Sequence, residues 1–121
     1  MLQKIAFTMY PIQDAERARD FYESTLGLKR GLSSGNGVWT EYDLPGGGCL
    51  ALFKSEDMQP GTMAGGSVAF EVADLDATVA ELKSKDVRFQ DELIHSPVCR
   101  MSILLDSEGN RIILHQLKPK T

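Results

Sequence analysis

The sequence predicts an α+β fold: two βαβββ modules forming a curved mixed sheet, with one helix from each module on the convex side. Three observations predict it. The order strand–helix–strand–strand–strand occurs twice, at an offset of about 60 residues, half of the 121-residue chain. Each repeat carries an aspartate between its opening strand and a helical stripe of apolar residues. Each also has a turn, "PGGG" or "DSEGN", immediately before its closing strand.

Taken in order, "QKIAFTMY" (3–10) is the first strand. Asp14 follows as an N-cap, since its carboxylate can accept from the free N–H groups of the first turn. Ala18, Phe21, Tyr22 and Leu26 then share one helical face, and Gly27 closes the helix as a C′ residue. Strands are expected at 28–33 and 37–44, a turn at 45–48, and a strand "CLALFK" at 49–54. The first module therefore spans 1–54. Residues 55–66, "SEDMQPGTMAGG", have a linker's composition. The second module, 67–121, opens with "SVAFEVA", which alternates cleanly between faces. Asp74 caps a helix with Leu75, Val79 and Leu82 on its stripe. Strands follow at 86–93 and 98–105, then the turn 106–110 and the strand "RIILHQL" at 111–117. "LPGGGCL" of the first module matches "LDSEGNR" of the second.

Composition narrows the function. The chain is 42% hydrophobic and 25% charged, enough to bury a core without a metal or disulfide as a staple. Its net charge is −4 and its pI about 5.1, and its basic residues are scattered apart from the tail "KPK" at 118–120. Phosphate-backbone binding needs clustered Lys and Arg, so nucleic acid is not an expected partner. No run of 18 apolar residues exists to span a membrane, and Pro11 and Asp14 break any signal-peptide core. A cytoplasmic protein is expected. Cys49 and Cys99 lie 50 residues apart without a CxxC spacing. They read as free thiols in a reducing compartment, with a disulfide or a reactive thiolate as the alternatives. The glycines 46–48 precede neither a Lys-Ser/Thr pair nor a helix, so they form a hairpin turn and not a phosphate loop.

"MYPIQDAERARDFYESTLGLK", "VAFEVADLDATVAELKSKDVRF" and "DSEGNRIIL" together resemble the vicinal oxygen chelate superfamily, which includes glyoxalase I, bleomycin-resistance proteins and extradiol dioxygenases. The carrying residues are the Asp-capped helix with Phe21, Tyr22, Leu26 and Gly27, the second strand-helix unit, and the closing turn, where Ser107 replaces the usual proline. The resemblance implies paired βαβββ modules, commonly a homodimer, and a divalent metal in the curved sheet held by the first and last strand of each module. The positions it implies for the ligands are Phe7, Ser67, Ile113 and a residue near Ala51. Phe, Ile and Ala carry no donor and Ser is a poor one. The expectation is a member without the usual metal or any other cofactor.

If Phe7, Ser67 and Ile113 face the concavity, the period of two places Met9, Ala69, Glu71, Arg111 and His115 there too, with Cys49, Ala51 and Phe53 on the neighbouring strand. Such a lining suits a small organic ligand. Trp39 and Tyr42 occupy opposite faces of one strand; Trp39 is the candidate to stack on a planar guest. His95 is a loop histidine or a contact at the rim beside Cys99, which shares its parity with Met101 and Ile103. Three uses compete for His115: a residue that borders the pocket, a proton-transfer pair with Glu71, or part of a displaced metal site with Glu71 and either Glu41 or His95. Glu41 is a further candidate base if desolvated. Two functions follow: a non-catalytic binder of a small organic molecule, or a glyoxalase-related lyase or isomerase using His115 with Glu71 or Glu41.

Overall fold

A computed structural model describes residues 1 and 3–118; the end of the basic tail, 119–121, lies outside the described residues. The strands are β1 (Thr8–Ile12), β2 (Arg30–Ser33), β3 (Trp39–Asp43), β4 (Cys49–Lys54), β5 (Val68–Glu71), β6 (Phe89–His95), β7 (Cys99–Leu105) and β8 (Arg111–Leu117). Two helices, α1 (Ala15–Asp20) and α2 (Leu75–Ser84), follow β1 and β5. They form two four-stranded mixed sheets, ordered β1-β4-β3-β2 and β5-β8-β7-β6, each with one parallel pair.

Both helices start as their aspartates require. Asp14 accepts from the Arg17 N–H and Asp74 from the Ala77 N–H, each at 3.0 Å. After Asp20 the first helix widens into a π-helical turn, Phe21–Thr25, and Gly27 leaves it at φ 74°. The apolar stripes of both helices pack on one face of the sheets. Tyr10, Ile12, Tyr22, Tyr42, Leu50, Leu52, Leu75, Leu82, Leu104, Ile112 and Leu114 form one continuous core across both halves. The opposite face is open.

The first strand is displaced from its expected place. It runs through Pro11 to Ile12 and leaves residues 3–7 outside the sheet. Proline is tolerated because β1 is an edge strand and can spare a donor. The strand registers also shift the expected repeat of the turns by one. Asp43 pairs with Cys49 as Leu105 pairs with Arg111, so Leu44 corresponds to Asp106 and Gly46 to Glu108. The two turns carry the same backbone bonds, Leu44 N–H to Gly48 O (3.1 Å) and Asp106 N–H to Asn110 O (2.9 Å).

The halves are joined mainly through the second turn. The Glu108 carboxylate, fully buried, accepts from the Gln13 and Asp14 N–H groups at 2.7 Å each and from Arg17 Nε at 2.8 Å. Burial would raise its pKa, but these donors outweigh that and hold it below the ordinary glutamate value. The Tyr22 hydroxyl donates to buried Asp106 at 2.8 Å, and Asn110 donates to Pro11 O at 2.9 Å. Burial dominates at Asp106 and keeps its pKa raised despite these donors. The Tyr10 hydroxyl donates to Arg111 O and accepts from the Val68 N–H.

Candidate functional site

The open face is built from the odd-numbered residues of β1, β4 and β3 in the first half and of β5, β8 and β7 in the second. Register places Met9 beside Ala51 and Ala51 beside Glu41; the next row is Pro11, Phe53 and Trp39. In the second half, Ala69, Ile113 and Ile103 form one row, and Glu71, His115 and Met101 the next. Trp39 is therefore on this face, while Tyr42 is fully buried on the other, stacked on Tyr22 at 5.8 Å.

Three aromatic rings dominate the first half of the face. Phe7, just before β1, meets Trp39 edge-on at 5.2 Å and 83°, and Trp39 leans against Phe53 at 5.9 Å and 60°. Edge-to-face geometry is the favoured one for such rings. Phe7 is nonetheless 45% exposed, a large apolar ring held at the surface. Glu41 fixes the cluster: one of its oxygens accepts from Trp39 Nε1 at 2.7 Å and the other from Cys49 Sγ at 3.7 Å. Burial, then the nearby Glu41 and Asp43 carboxylates, raise the Cys49 thiol pKa. That thiol is thus held protonated and poorly nucleophilic at neutral pH.

The second half is polar at its end. His115 Nδ1 lies 2.5 Å from Glu71 Oε1, and Glu71 Oε2 accepts from the Leu117 N–H at 3.0 Å. The Leu117 N–H first, and His115 second, hold the Glu71 pKa below its ordinary value. Both side chains reach solvent, at 26% exposure for His115 and 54% for Glu71. With Nδ1 engaged, Nε2 is the imidazole nitrogen left to meet a ligand or move a proton. Arg111 belongs to the same face, and its buried Nε has no hydrogen-bond partner among the described residues.

The remaining sequence candidates are placed as follows. Ser67 is exposed just before β5; Met9, Met101 and Ile113 are half-buried. Ala51 is fully buried and Cys99 nearly so, its sulfur 3.0 Å from Ser96 Oγ, so neither offers a ligand much surface. His95 requires correction. It is the last residue of β6 and pairs with Arg100, which binds Asp76 of α2 at 2.7 Å. That places it on the helix-bearing face, away from His115. It is therefore a strand residue, not a loop one, on a strand whose pairing is irregular between Phe89 and Ile94.

The residues at the metal positions implied by the resemblance do not fit a divalent ion. Phe7, Ala51 and Ile113 offer hydrocarbon, and Ser67 a single hydroxyl. Nor do three His, Cys, Asp or Glu side chains converge elsewhere among the described residues. Glu41 is held by Trp39 and Cys49, and His95 lies on the other face, so neither joins the Glu71–His115 pair. What sequence reasoning missed is the set that positions the face: Tyr10, Asp106, Glu108 and Asn110, all buried polar groups. The signal available was Glu108 itself, an acid in the turn where the first repeat has only glycine.

The model of the Glyoxalase/Bleomycin resistance protein/Dioxygenase superfamily matches residues 4–114. Among solved structures, TnmS3, an antibiotic binding protein from Streptomyces sp. CB03234, is 26% identical at a TM-score of 0.81, over 97% of this chain and 98% of its own. A superfamily member from Sphaerobacter thermophilus DSM 20745 is 24% identical at 0.79, over 95% and 98%. Lactoylglutathione lyase from Agrobacterium tumefaciens shares the fold at a TM-score of 0.78 and 17% identity, over 95% and 94%. No curated protein matches the chain in sequence.

Proposed function

The chain belongs to the glyoxalase/bleomycin resistance protein/dioxygenase superfamily, and on that premise we propose that it binds a small planar organic molecule on its open sheet face, in the cytoplasm, without a resident metal or other cofactor. The carrying observation is the cluster of Phe7, Trp39 and Phe53, packed through the indole, with Phe7 exposed and the other two half-buried. A flat guest laid on these rings would gain stacking and hydrophobic contact. Glu41, held at both oxygens, keeps the indole from rotating when no guest is bound. Arg111 adds a guanidinium on the same face for an acceptor on the ligand. The likeness to an antibiotic binding protein supports a binding role.

A second copy of the chain is the proposed partner. The open face of one chain is a shallow surface, and ligand sites are concave. Exposed Ile5 and Phe7 on the first half, and Leu93 and Leu117 on the second, are apolar groups that another copy would cover. Neither a nucleic acid nor a membrane is proposed as a partner. Among the described residues no helix is long and apolar enough to cross a membrane.

The His115–Glu71 pair favours a second reading, a metal-free lyase or isomerase step in which His115 moves a proton while Glu71 orients the ring. Trp39 is the sole tryptophan, so its fluorescence reports the face directly. Titration with planar aromatic compounds, including antibiotics, should give saturable quenching that Phe53→Ala weakens, with the compound recovered unchanged by mass spectrometry. Conversion of the compound, abolished in His115→Ala with binding retained, selects the enzymatic reading. Absence of quenching by every such compound sinks both.

A further inference from the structure

We propose that the junction between the Leu44 turn and α2 is a second binding site, on the helix-bearing side of the sheets, for a neutral mono- or bicyclic aromatic molecule. The argument is the broken symmetry of the two repeats. The turn after β7 inserts Asp106 against Tyr22 of the first half, and that phenol ring fills the space between them. By the strand registers and the capping aspartates, the counterparts of Asp106 and Tyr22 are Leu44 and Leu82. Glu108, which draws the second turn onto the start of α1, is matched by Gly46, which has no side chain to draw the first turn onto α2. The second junction is therefore short of a ring and of a clamp. A cleft of about 310 Å³ stands there, walled by Leu44, Phe70, Leu82 and Leu114.

Size and charge define the occupant. An apolar cavity of about 150 Å³ accepts benzene, so this one has room for a single ring or a fused pair. The missing ring of the other half is itself aromatic. The rim carries Glu71, Glu81 and Lys85, two acids against one base. Lys85 stands 3.6 Å from Glu81 and 3.4 Å from Thr25 O. A carboxylate ligand meets net repulsion at this rim; a neutral ring does not. This site shares no aromatic wall with the Phe7–Trp39–Phe53 cluster, and Glu71, at its rim, is the one residue it has in common with the face proposed above.

The test uses indole as the probe and methyl and indole N–H NMR of the full chain as the readout. Saturable shifts at Leu44, Leu82 and Leu114, with the Trp39 N–H unmoved, are expected. Leu82→Tyr, which restores the residue found in the other half, and Leu44→Phe, which fills the cleft from the opposite wall, should each weaken binding at least tenfold. Trp39→Ala should leave it within twofold. Indole-3-acetate should bind at least tenfold more weakly than indole. Shifts confined to Trp39, no saturation up to the solubility of indole, or full affinity in a folded Leu82→Tyr or Leu44→Phe protein each overturn the proposal. Equal affinity for the acid overturns the assignment of a neutral ligand. Should either variant fail to fold, the other and the shift map of the natural chain still decide.

Discussion

Glu108→Ala is expected to destabilise the protein by about 2–4 kcal/mol. The substitution removes the acceptor of two backbone N–H groups, those of Gln13 and Asp14, each held at 2.7 Å. An orphaned buried donor costs about 1–3 kcal/mol. The lower half of that range applies twice, because Gln13 and Asp14 are themselves exposed and water reaches part of their backbone. Arg17 adds little: at 57% exposure it rehydrates when its partner is lost, and exposed pairs contribute roughly 0–1 kcal/mol. A domain of this size holds about 5–15 kcal/mol in all, so the loss is a large share. Urea unfolding followed by circular dichroism measures it, with an unchanged m-value showing that only stability moved. Arg17→Ala should lose less than about 1 kcal/mol. The sign with pH is also fixed. The folded Glu108 pKa lies below its ordinary value of 4.5, so its contribution is complete above that value and disappears as pH falls through the folded pKa. The gap between the natural chain and Glu108→Gln should shrink on acidification. A loss below about 1 kcal/mol for Glu108→Ala, or an Arg17→Ala loss equal to it, refutes the view that the turn works by capping the first helix across the repeat.

Other outcomes test the open face. Phe7→Ala should weaken the binding of a planar aromatic ligand by about tenfold, the equivalent of about 1.4 kcal/mol, while changing stability little because Phe7 is 45% exposed; equal affinity removes it from the site. Glu41→Gln should speed alkylation of Cys49 at neutral pH, since Glu41 is one of the charges that raise the thiol pKa; an unchanged rate, followed by mass spectrometry, contradicts that. His115→Ala should raise the Glu71 pKa only part of the way to 4.5, because the Leu117 N–H, its stronger partner, remains; carboxylate NMR titration reads this, and a full return assigns the shift to the imidazole instead. Elemental analysis of the purified protein should find no stoichiometric zinc, nickel, iron or manganese; one ion per chain would falsify the metal-free proposal.

Much of the architecture was legible because local rules and tertiary needs agree. Asp14 and Asp74 cap helices by the same bond, and β4 and β8 fall at 49–54 and 111–117 as their apolar runs dictate. Parity separated Trp39 from Tyr42, and parity together with the strand order implied by the resemblance put His115 beside Glu71. The misses have physical causes. Pro11 looked like a strand end, yet an edge strand tolerates it. His95 read as a loop residue because Pro97 follows so closely, yet it is the last residue of β6, paired with Arg100. Glu108 bonds across 95 positions of sequence to Gln13, a distance no local pattern reports.

Among the described residues no ladder joins the two sheets; side chains stitch them, and chiefly at one end. The halves consequently resemble a pair of jaws with a single latch. On the latched side Tyr22, Asp106 and Glu108 fix the opening; beside Leu44, among the described residues, the crossing bond is the long one from Lys85 Nζ to Thr25 O, at 3.4 Å. If the halves do move against each other, the side with fewer crossing bonds is the one where a small rotation costs least.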